Sequence, residues 1–174
     1  MRKIIALAGP KGVGKSTVAN QLLLNPNVNQ PAGIMSFAGP LKDICKAILP
    51  PEAFTAEGKE NPDYGLCGVK PRVIMQTIGT DWGRQMISKD IWVDAMRNRI
   101  ATSALETIIL DDLRFENEAE LVRELGGSVI ELTRADIKYT EEHISECRIS
   151  KDYIHQIIDL DTTSLTYLQT TLAL

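Results

Sequence analysis

The chain has 174 residues, 44% of them hydrophobic and 24% charged, with a formal net charge of −4. That is the size of one globular domain with a substantial core, and the acidic balance excludes a global basic field that would recruit nucleic acid or an anionic membrane. Three cysteines, Cys45, Cys67 and Cys147, stand far apart in an odd count, which excludes a disulfide framework and predicts a reduced, cytoplasmic protein.

Lys3–Ala8 reads as a buried first strand. Its apolar run, Ile4 to Ala8, is too short for the core of a signal peptide. No later run approaches the ~20 residues of a membrane span, so no membrane partner is expected. A glycine-rich turn, Gly9–Ser16, leads into a helix over Lys15–Leu24, and the loop NPNVNQPAG follows. Gly33–Phe37 reads as the second strand and Pro40–Leu49 as a helix, with Pro40 suited to its first turn. Pro50–Lys70, punctuated by Gly58, Pro62, Gly65 and Gly68, reads as a surface excursion. Pro71–Met86 and Lys89–Ala104 read as two helices, and Thr107–Leu110 as a third strand ending in Asp111-Asp112. A helix over Asn117–Leu125 is closed by Gly126-Gly127, the residues a C-terminal cap calls for. Ser128–Thr133 is the fourth strand, Ala135–Tyr153 a polar and irregular stretch, His155–Leu160 the fifth strand and Ser164–Leu172 a closing helix.

Strands that alternate with helices make βαβ units and a parallel sheet. Right-handed crossovers then place helices on both faces, giving a three-layer α/β fold with five parallel strands. Ligands of such sheets bind beyond the C-terminal ends of the strands.

GPKGVGKS, Gly9 to Ser16, fits G-x-x-x-x-G-K-[ST] between a strand and a helix, the context a P-loop requires. Its backbone N–H groups, Val13 among them, face the phosphates of ATP, and the following helix adds the positive end of its dipole. Gly9, Gly12 and Gly14 allow close backbone approach and positive φ. Lys15 is the cation for the β- and γ-phosphates, and the Ser16 hydroxyl is a ligand for Mg²⁺. TIILDDLRF is an apolar strand ending in acid, the pattern of an acid that holds the metal directly or through water. Asp111 and Asp112 both qualify, and Asp111, the first off the strand, is favoured over a plain turn or cap.

Lys42, Arg72 and Arg84, with Lys11 inside the P-loop, are cations suited to a second phosphate, which needs several donors. Each is otherwise a solvated surface cation. Trp92 shares a helix face with Met96 and reads either as core or as a contact to a base; Trp82 reads as core. Arg134 leaves the fourth strand, where it is placed to clamp a transferring phosphoryl. His143, Ser145 and Glu146 read as surface or capping residues, and two histidines, His143 and His155, do not make a metal site.

Several segments beyond the P-loop resemble the bacteriophage deoxynucleoside monophosphate kinases: AGPLKD (Ala38–Asp43), PRVIMQTIGTD (Pro71–Asp81), IWV (Ile91–Val93), the Asp111–Ile130 stretch with DDLR, and HISE (His143–Glu146). They occur in the same order and span most of the chain. The resemblance implies a nucleoside-monophosphate-kinase-like P-loop fold, the reaction ATP + dNMP → ADP + dNDP, Mg²⁺, and ATP and a deoxynucleoside monophosphate as partners. It implies ATP contacts at Gly12, Gly14, Lys15, Ser16 and Thr17, and monophosphate contacts at Lys11, Leu41, Lys42, Arg72, Gly79, Thr80, Arg84 and Trp92. It also implies one domain over 1–174, with a substrate-binding insertion at about 38–104 and a lid-like segment at about 134–153. A homodimer stays open, and a phage-encoded chain would work in the host cytoplasm. The chain departs from the family in a reduced insertion and in Leu160-Asp161-Thr162-Thr163, where family members carry an Asn-Asp-Gly turn.

Two other functions compete. A P-loop kinase of a small hydroxyl acceptor, such as dephospho-coenzyme A or a sugar acid, would benefit from a base at the end of the second strand. Ser36-Phe37-Ala38 stands there, and the nearest acid, Asp43, is a helical turn further on. A nucleotide-dependent switch would need a γ-phosphate-sensing loop and an apolar partner surface, and the sequence signals neither.

Overall fold

The computed structural model describes residues 2–139 and 148–162. The expected roles of His143, Ser145 and Glu146, the thiol of Cys147, and the closing helix over Ser164–Leu172 lie outside the described residues. The chain divides into two compact units, one of Met1–Phe37 with Arg99–Leu174 and the other of Ala38–Asn98.

The first unit is built on a parallel sheet of five strands in the order β2-β3-β1-β4-β5. The strands are β1 (Lys3–Ala8), β2 (Ala32–Met35), β3 (Thr107–Leu110), β4 (Ser128–Thr133) and β5 (Gln156–Asp159). β1 and β3 are nearly continuous apolar runs and are buried on both faces, as central parallel strands are, whereas β2 and β5 at the edges stay partly exposed. β1 connects through α1 (Lys15–Leu23) past β3 to β2, and β3 connects through α5 (Glu116–Glu124) back past β1 to β4. The two crossovers run in opposite directions, so right-handedness puts α1 and α5 on opposite faces. The connections diverge at the C-terminal ends of β1 and β3, where such sheets open a crevice.

Alternation along the strands supplies both faces. Ile5 and Leu7 pack with Val18, Ala19 and Leu22 of α1 and with Ile109, Ile130, Leu132 and Ile158. Burying a side chain such as Leu22 contributes about 1.5–3 kcal/mol. On the other face Gly127, just beyond α5, lies so close to the sheet that a Cβ there would sit 2.9 Å from Ile4 Cβ. α5 starts where Glu118, 2% exposed, turns back to accept the N–H groups of Arg114 (2.8 Å) and Phe115 (3.1 Å). It stops at Gly126, whose φ of 72° is left-handed, with Gly127 N–H on Val122 O at 2.8 Å, the six-to-one bond of a Schellman cap.

The second unit contains α2 (Gly39–Cys45), α3 (Pro71–Gln76) and the start of α4 (Ile91–Thr102). Its core gathers Cys45, Leu49, Ala53 and Met75 with Leu41, Phe54, Tyr64, Ile74 and Ile78. The expected excursion over Pro50–Lys70 consists of three short 3₁₀ turns, Pro51–Phe54, Gly58–Glu60 and Pro62–Tyr64. Cys45 and Cys67 are both free thiols.

Three expected elements differ. β2 ends at Met35 rather than Phe37 because Ser36 and Phe37 bond to the side chains of Asp111 and Asp112 instead of a strand. The helix from Pro40 ends at Cys45 and tightens, with Ala47 and Ile48 bonding three residues back, ahead of the Pro50-Pro51 pair. The helix from Pro71 is α-helical only to Gln76 and continues as a π-helical run over Thr77–Ile87. The Trp92 indole N–H donates to the Gly79 carbonyl within this run at 2.8 Å. A Cβ on Gly83 would lie 2.7 Å from Trp92 Cζ2, so the ring packs directly on that turn. Trp82, expected in the core, is 41% exposed, because the buried line of this run is Gly79 and Gly83.

Candidate active site

The P-loop is shaped by what holds its ends. Gly9 has φ 138°, and a Cβ there would lie 2.6 Å from the Leu132 carbonyl of β4, so only glycine fits. Gly14 caps α1 with φ 110°, a conformation that strains any L side chain. Between them Val13 is 1% exposed and its side chain belongs to the core under α1. Any contact from Val13 to a phosphate therefore runs through its backbone. Val18 N–H reaches Gly14 O at 2.9 Å, the first α-helical bond, and the first-turn N–H groups before it point out of the helix N-terminus, the geometry that binds anions. Lys15 Nζ folds onto the loop and donates to the carbonyls of Gly9 (2.6 Å) and Pro10 (2.9 Å). Lys11 and Thr17 are exposed.

β2 and β3 end side by side, with Met35 in register with Leu110. The next residues bring the acids to the P-loop. Asp111 accepts from Ser16 Oγ at 3.1 Å with Oδ2 and from Ser36 Oγ at 2.6 Å with Oδ1. Asp112 turns the other way and accepts the Phe37 N–H at 2.7 Å. The two adjacent acids thus hold different positions: Asp111 is at the P-loop hydroxyl, and Asp112 closes the end of β2. Among the described residues no cluster of His, Cys, Asp and Glu could by itself hold a metal ion. The donors beside the P-loop are hard oxygens. Mg²⁺ binds through few protein oxygens, with water and phosphate completing the octahedron, so Ser16 and Asp111 fit that ion.

Beyond β4, Arg134 donates to Asp136 at 3.1 Å and lies 3.9 Å from Asp161. Asp161 also accepts the Ala135 N–H at 2.7 Å. The Asp161 carboxylate therefore ties the end of β5 to Arg134 and Ala135, just beyond β4. A Cβ on Gly12 or Gly14 would lie 3.9 Å from Ile137 Cδ1 or 3.5 Å from Leu160 Cδ1, respectively, so both apolar side chains flank the P-loop. Glu131 of β4, 1% exposed, is gripped by Arg148 in two bonds of 2.8 and 2.6 Å and by the Tyr139 hydroxyl at 2.9 Å. Burial first, and then the bond to Glu131, pushes the Tyr139 phenol well above its ordinary value; the same carboxylate raises Arg148.

The other candidates for the monophosphate belong to the second unit. Leu41, Gly79 and Trp92 form a packed knot: a Cβ on Gly79 would lie 3.0 Å from Leu41 Cδ2, and Trp92, 5% exposed, bonds the Gly79 carbonyl. Of the two readings of Trp92, core packing describes this position. Arg72 pairs through Nε with Glu60, whose other oxygen is 3.8 Å from Lys70 Nζ. Arg84 donates to the Lys89 carbonyl at 3.1 Å. Lys42 and Thr80 are half-buried. Asp43, the nearest acid to the end of β2 in sequence on that side, pairs with Lys46 at 2.8 Å.

Sequence reasoning passed over Ser36, Glu131 and Asp161. Ser36 was visible only as the absence of an acid. Glu131 was masked by its place in an apolar strand, where a lone charge signals a buried partner. Asp161 stands in the departing turn, and its bonds depend on β4 and β5 being neighbours.

A sequence profile of the deoxynucleotide monophosphate kinases matches residues 69–171, more than half of the chain. A protein of Acanthamoeba polyphaga mimivirus named as a deoxynucleotide monophosphate kinase is 32% identical over 170 residues, covering 89% of this chain and 86% of that protein. The deoxynucleoside-5'-monophosphate kinase of Escherichia phage T5 is 32% identical over 119 residues, 64% of this chain and 47% of that one. Among solved structures a gluconokinase from Sinorhizobium meliloti 1021 aligns over 99% of this chain and 93% of its own, with a TM-score of 0.50 and 13% identity, a likeness of fold.

Proposed function

Because the chain belongs to the deoxynucleotide monophosphate kinase family, we propose that it transfers the γ-phosphoryl of ATP to a deoxynucleoside monophosphate, giving ADP and the diphosphate. The observation that supports a donor site at the P-loop is the Asp111 carboxylate, 3.1 Å from the Ser16 hydroxyl. The loop's N–H groups and the N-terminus of α1 bind the triphosphate. Lys15 exchanges the Gly9 and Pro10 carbonyls, its present partners, for phosphate oxygens and neutralises charge as it develops. Ser16 and Asp111 would hold Mg²⁺, which when bound offsets the charge of the β- and γ-phosphate oxygens. Arg134, at the exit of β4, contributes a further cation once it leaves Asp136 and Asp161.

On the acceptor side, Lys42, Arg72 and Arg84 of the second unit neutralise a phosphate that carries nearly two charges. Leu41, Gly79, Thr80 and Trp92 shape the unit that presents the second-unit cations. The nucleophile is an oxygen of the acceptor itself. Its second pKa is about 6, so it arrives deprotonated and needs no side chain as a base. The end of β2 agrees with this: its hydroxyl residue, Ser36, donates to Asp111. Transfer then rests on positioning and on cations.

The test is to incubate the protein with Mg-ATP and each common dNMP and NMP, with gluconate and dephospho-coenzyme A as hydroxyl acceptors, and to follow ADP. Formation of ADP with at least one dNMP and with neither hydroxyl acceptor is expected. Turnover only with a hydroxyl acceptor, or with no acceptor at all, refutes the proposal.

A further inference from the structure

Ser36 stands at the end of β2, outside every motif that points to the donor site, yet its hydroxyl makes the shorter of the two serine contacts to the Asp111 carboxylate. Oδ1 of Asp111 takes the Ser36 hydroxyl at 2.6 Å, and Oδ2 takes the Ser16 hydroxyl at 3.1 Å. A 2.6 Å bond between a hydroxyl and a carboxylate is in the short, charge-assisted range. Without it the terminal torsion of an aspartate is broad, and among the described residues the longer Ser16 bond would be left to orient the group.

The Ser36 hydroxyl is also held from moving away. On one side of it Asp111 N–H reaches the Met35 carbonyl at 3.3 Å; on the other Phe37 N–H reaches Asp112 at 2.7 Å. Those bonds, with the β2–β3 ladder from Ala32 to Met35, join the strand ends without help from the Ser36 side chain. The fold therefore has little need of that hydroxyl, while the carboxylate at the P-loop does.

We propose that Ser36 is a positioning residue for the metal end of the donor site: its hydroxyl sets the angle at which Asp111, beside Ser16, meets a divalent cation. This rests on the reading of Ser16 and Asp111 as the Mg²⁺ residues. Ser36 donates a hydrogen bond through its O–H to Asp111 and would act on the cation only through that carboxylate. It takes no part in bond making or breaking.

The experiment is a calorimetric titration of the protein with ADP, with Mg²⁺ and with a chelator in its place. In the wild type Mg²⁺ tightens ADP binding. In Ser36→Ala that gain shrinks roughly five- to tenfold, the scale of one lost bond to a charged group shared in part with water. Chelated ADP binds both proteins alike, and Ser36→Thr, which keeps the hydroxyl, restores the gain. Should the alanine variant not fold, Ser36→Cys, with a weak donor of similar size, gives the same readout. An undiminished gain in Ser36→Ala overturns the inference, as does an equal loss with and without metal, which marks a structural staple. A wild type indifferent to Mg²⁺ overturns it together with the metal assignment, while the dNMP assay above judges the kinase reading separately.

Discussion

Asp111 and Asp112 are neighbours in sequence, and the structure assigns them opposite consequences on mutation. Asp112→Ala removes the acceptor of the Phe37 N–H, a 2.7 Å bond to a carboxylate. Phe37 is 2% exposed, so water replaces that partner poorly. Loss of one such bond costs about 1.5–3 kcal/mol. For a chain of this length each kcal/mol moves Tm by roughly 2–4 °C, so a fall of about 3–12 °C is expected. Asp111→Asn keeps the shape of the side chain: one serine hydroxyl can rotate to accept from its amide N–H while the other still donates to its amide oxygen. Its cost to stability stays below about 1 kcal/mol. The lost charge beside the P-loop costs the reaction about 10²-fold or more in kcat. Thermal melts by circular dichroism and ADP release per folded molecule separate the two. The reasoning fails if Asp112→Ala loses as much kcat as Asp111→Asn with an unchanged Tm, for then Asp112 is the acid at the phosphates.

Arg72→Ala and Arg84→Ala should each weaken dNMP binding roughly 10- to 100-fold, with the ATP constant unchanged; a reversed pattern in steady-state kinetics assigns these residues to the donor. Gly83→Ala forces a Cβ to within 2.7 Å of the Trp92 ring and 2.9 Å of the Ile78 carbonyl. A loss of about 1–3 kcal/mol follows from overpacking, and denaturant melts equal to wild type would show that the ring yields instead. Tyr139→Phe tests the buried cluster on Glu131. The folded state favours the neutral phenol, so the tyrosine's stabilising contribution is complete below its ordinary pKa of about 10 and falls as pH rises past it. The Tm gap between wild type and Tyr139→Phe should therefore narrow above that pH; a constant gap would mean the phenol titrates alike in both states.

Local chemistry was readable wherever one segment carried its own signal. Strand limits at Lys3–Ala8, Thr107–Leu110 and Ser128–Thr133 are those read from the apolar runs. The Gly126-Gly127 stop follows from the left-handed φ that a helix cap needs. The P-loop was readable because its glycines and lysine are adjacent in the chain. The π-helical run over Thr77–Ile87 was not, since no local residue signal marks it, and Trp92, which packs on it, lies thirteen residues beyond the Gly79 carbonyl it bonds.

Sequence alone determined that this protein has a phosphate-binding loop between a buried strand and a helix, in a parallel α/β sheet, with an acid at the end of a later strand. Periodicity and spacing specify those features within a few residues of chain. Only the tertiary structure decided which acid meets the loop and which closes a strand. Pairing β2 with β3 sends Asp111 to Ser16 and Ser36 and Asp112 to the Phe37 amide. It likewise decided that Glu131 is a buried anion held by Arg148 and Tyr139. Asp111 and Asp112 lie 75 to 95 residues from their partners, Glu131 lies 8 and 17 residues from Tyr139 and Arg148, and a hydrogen bond acts over about 3 Å, so only the folded chain determines who is within reach.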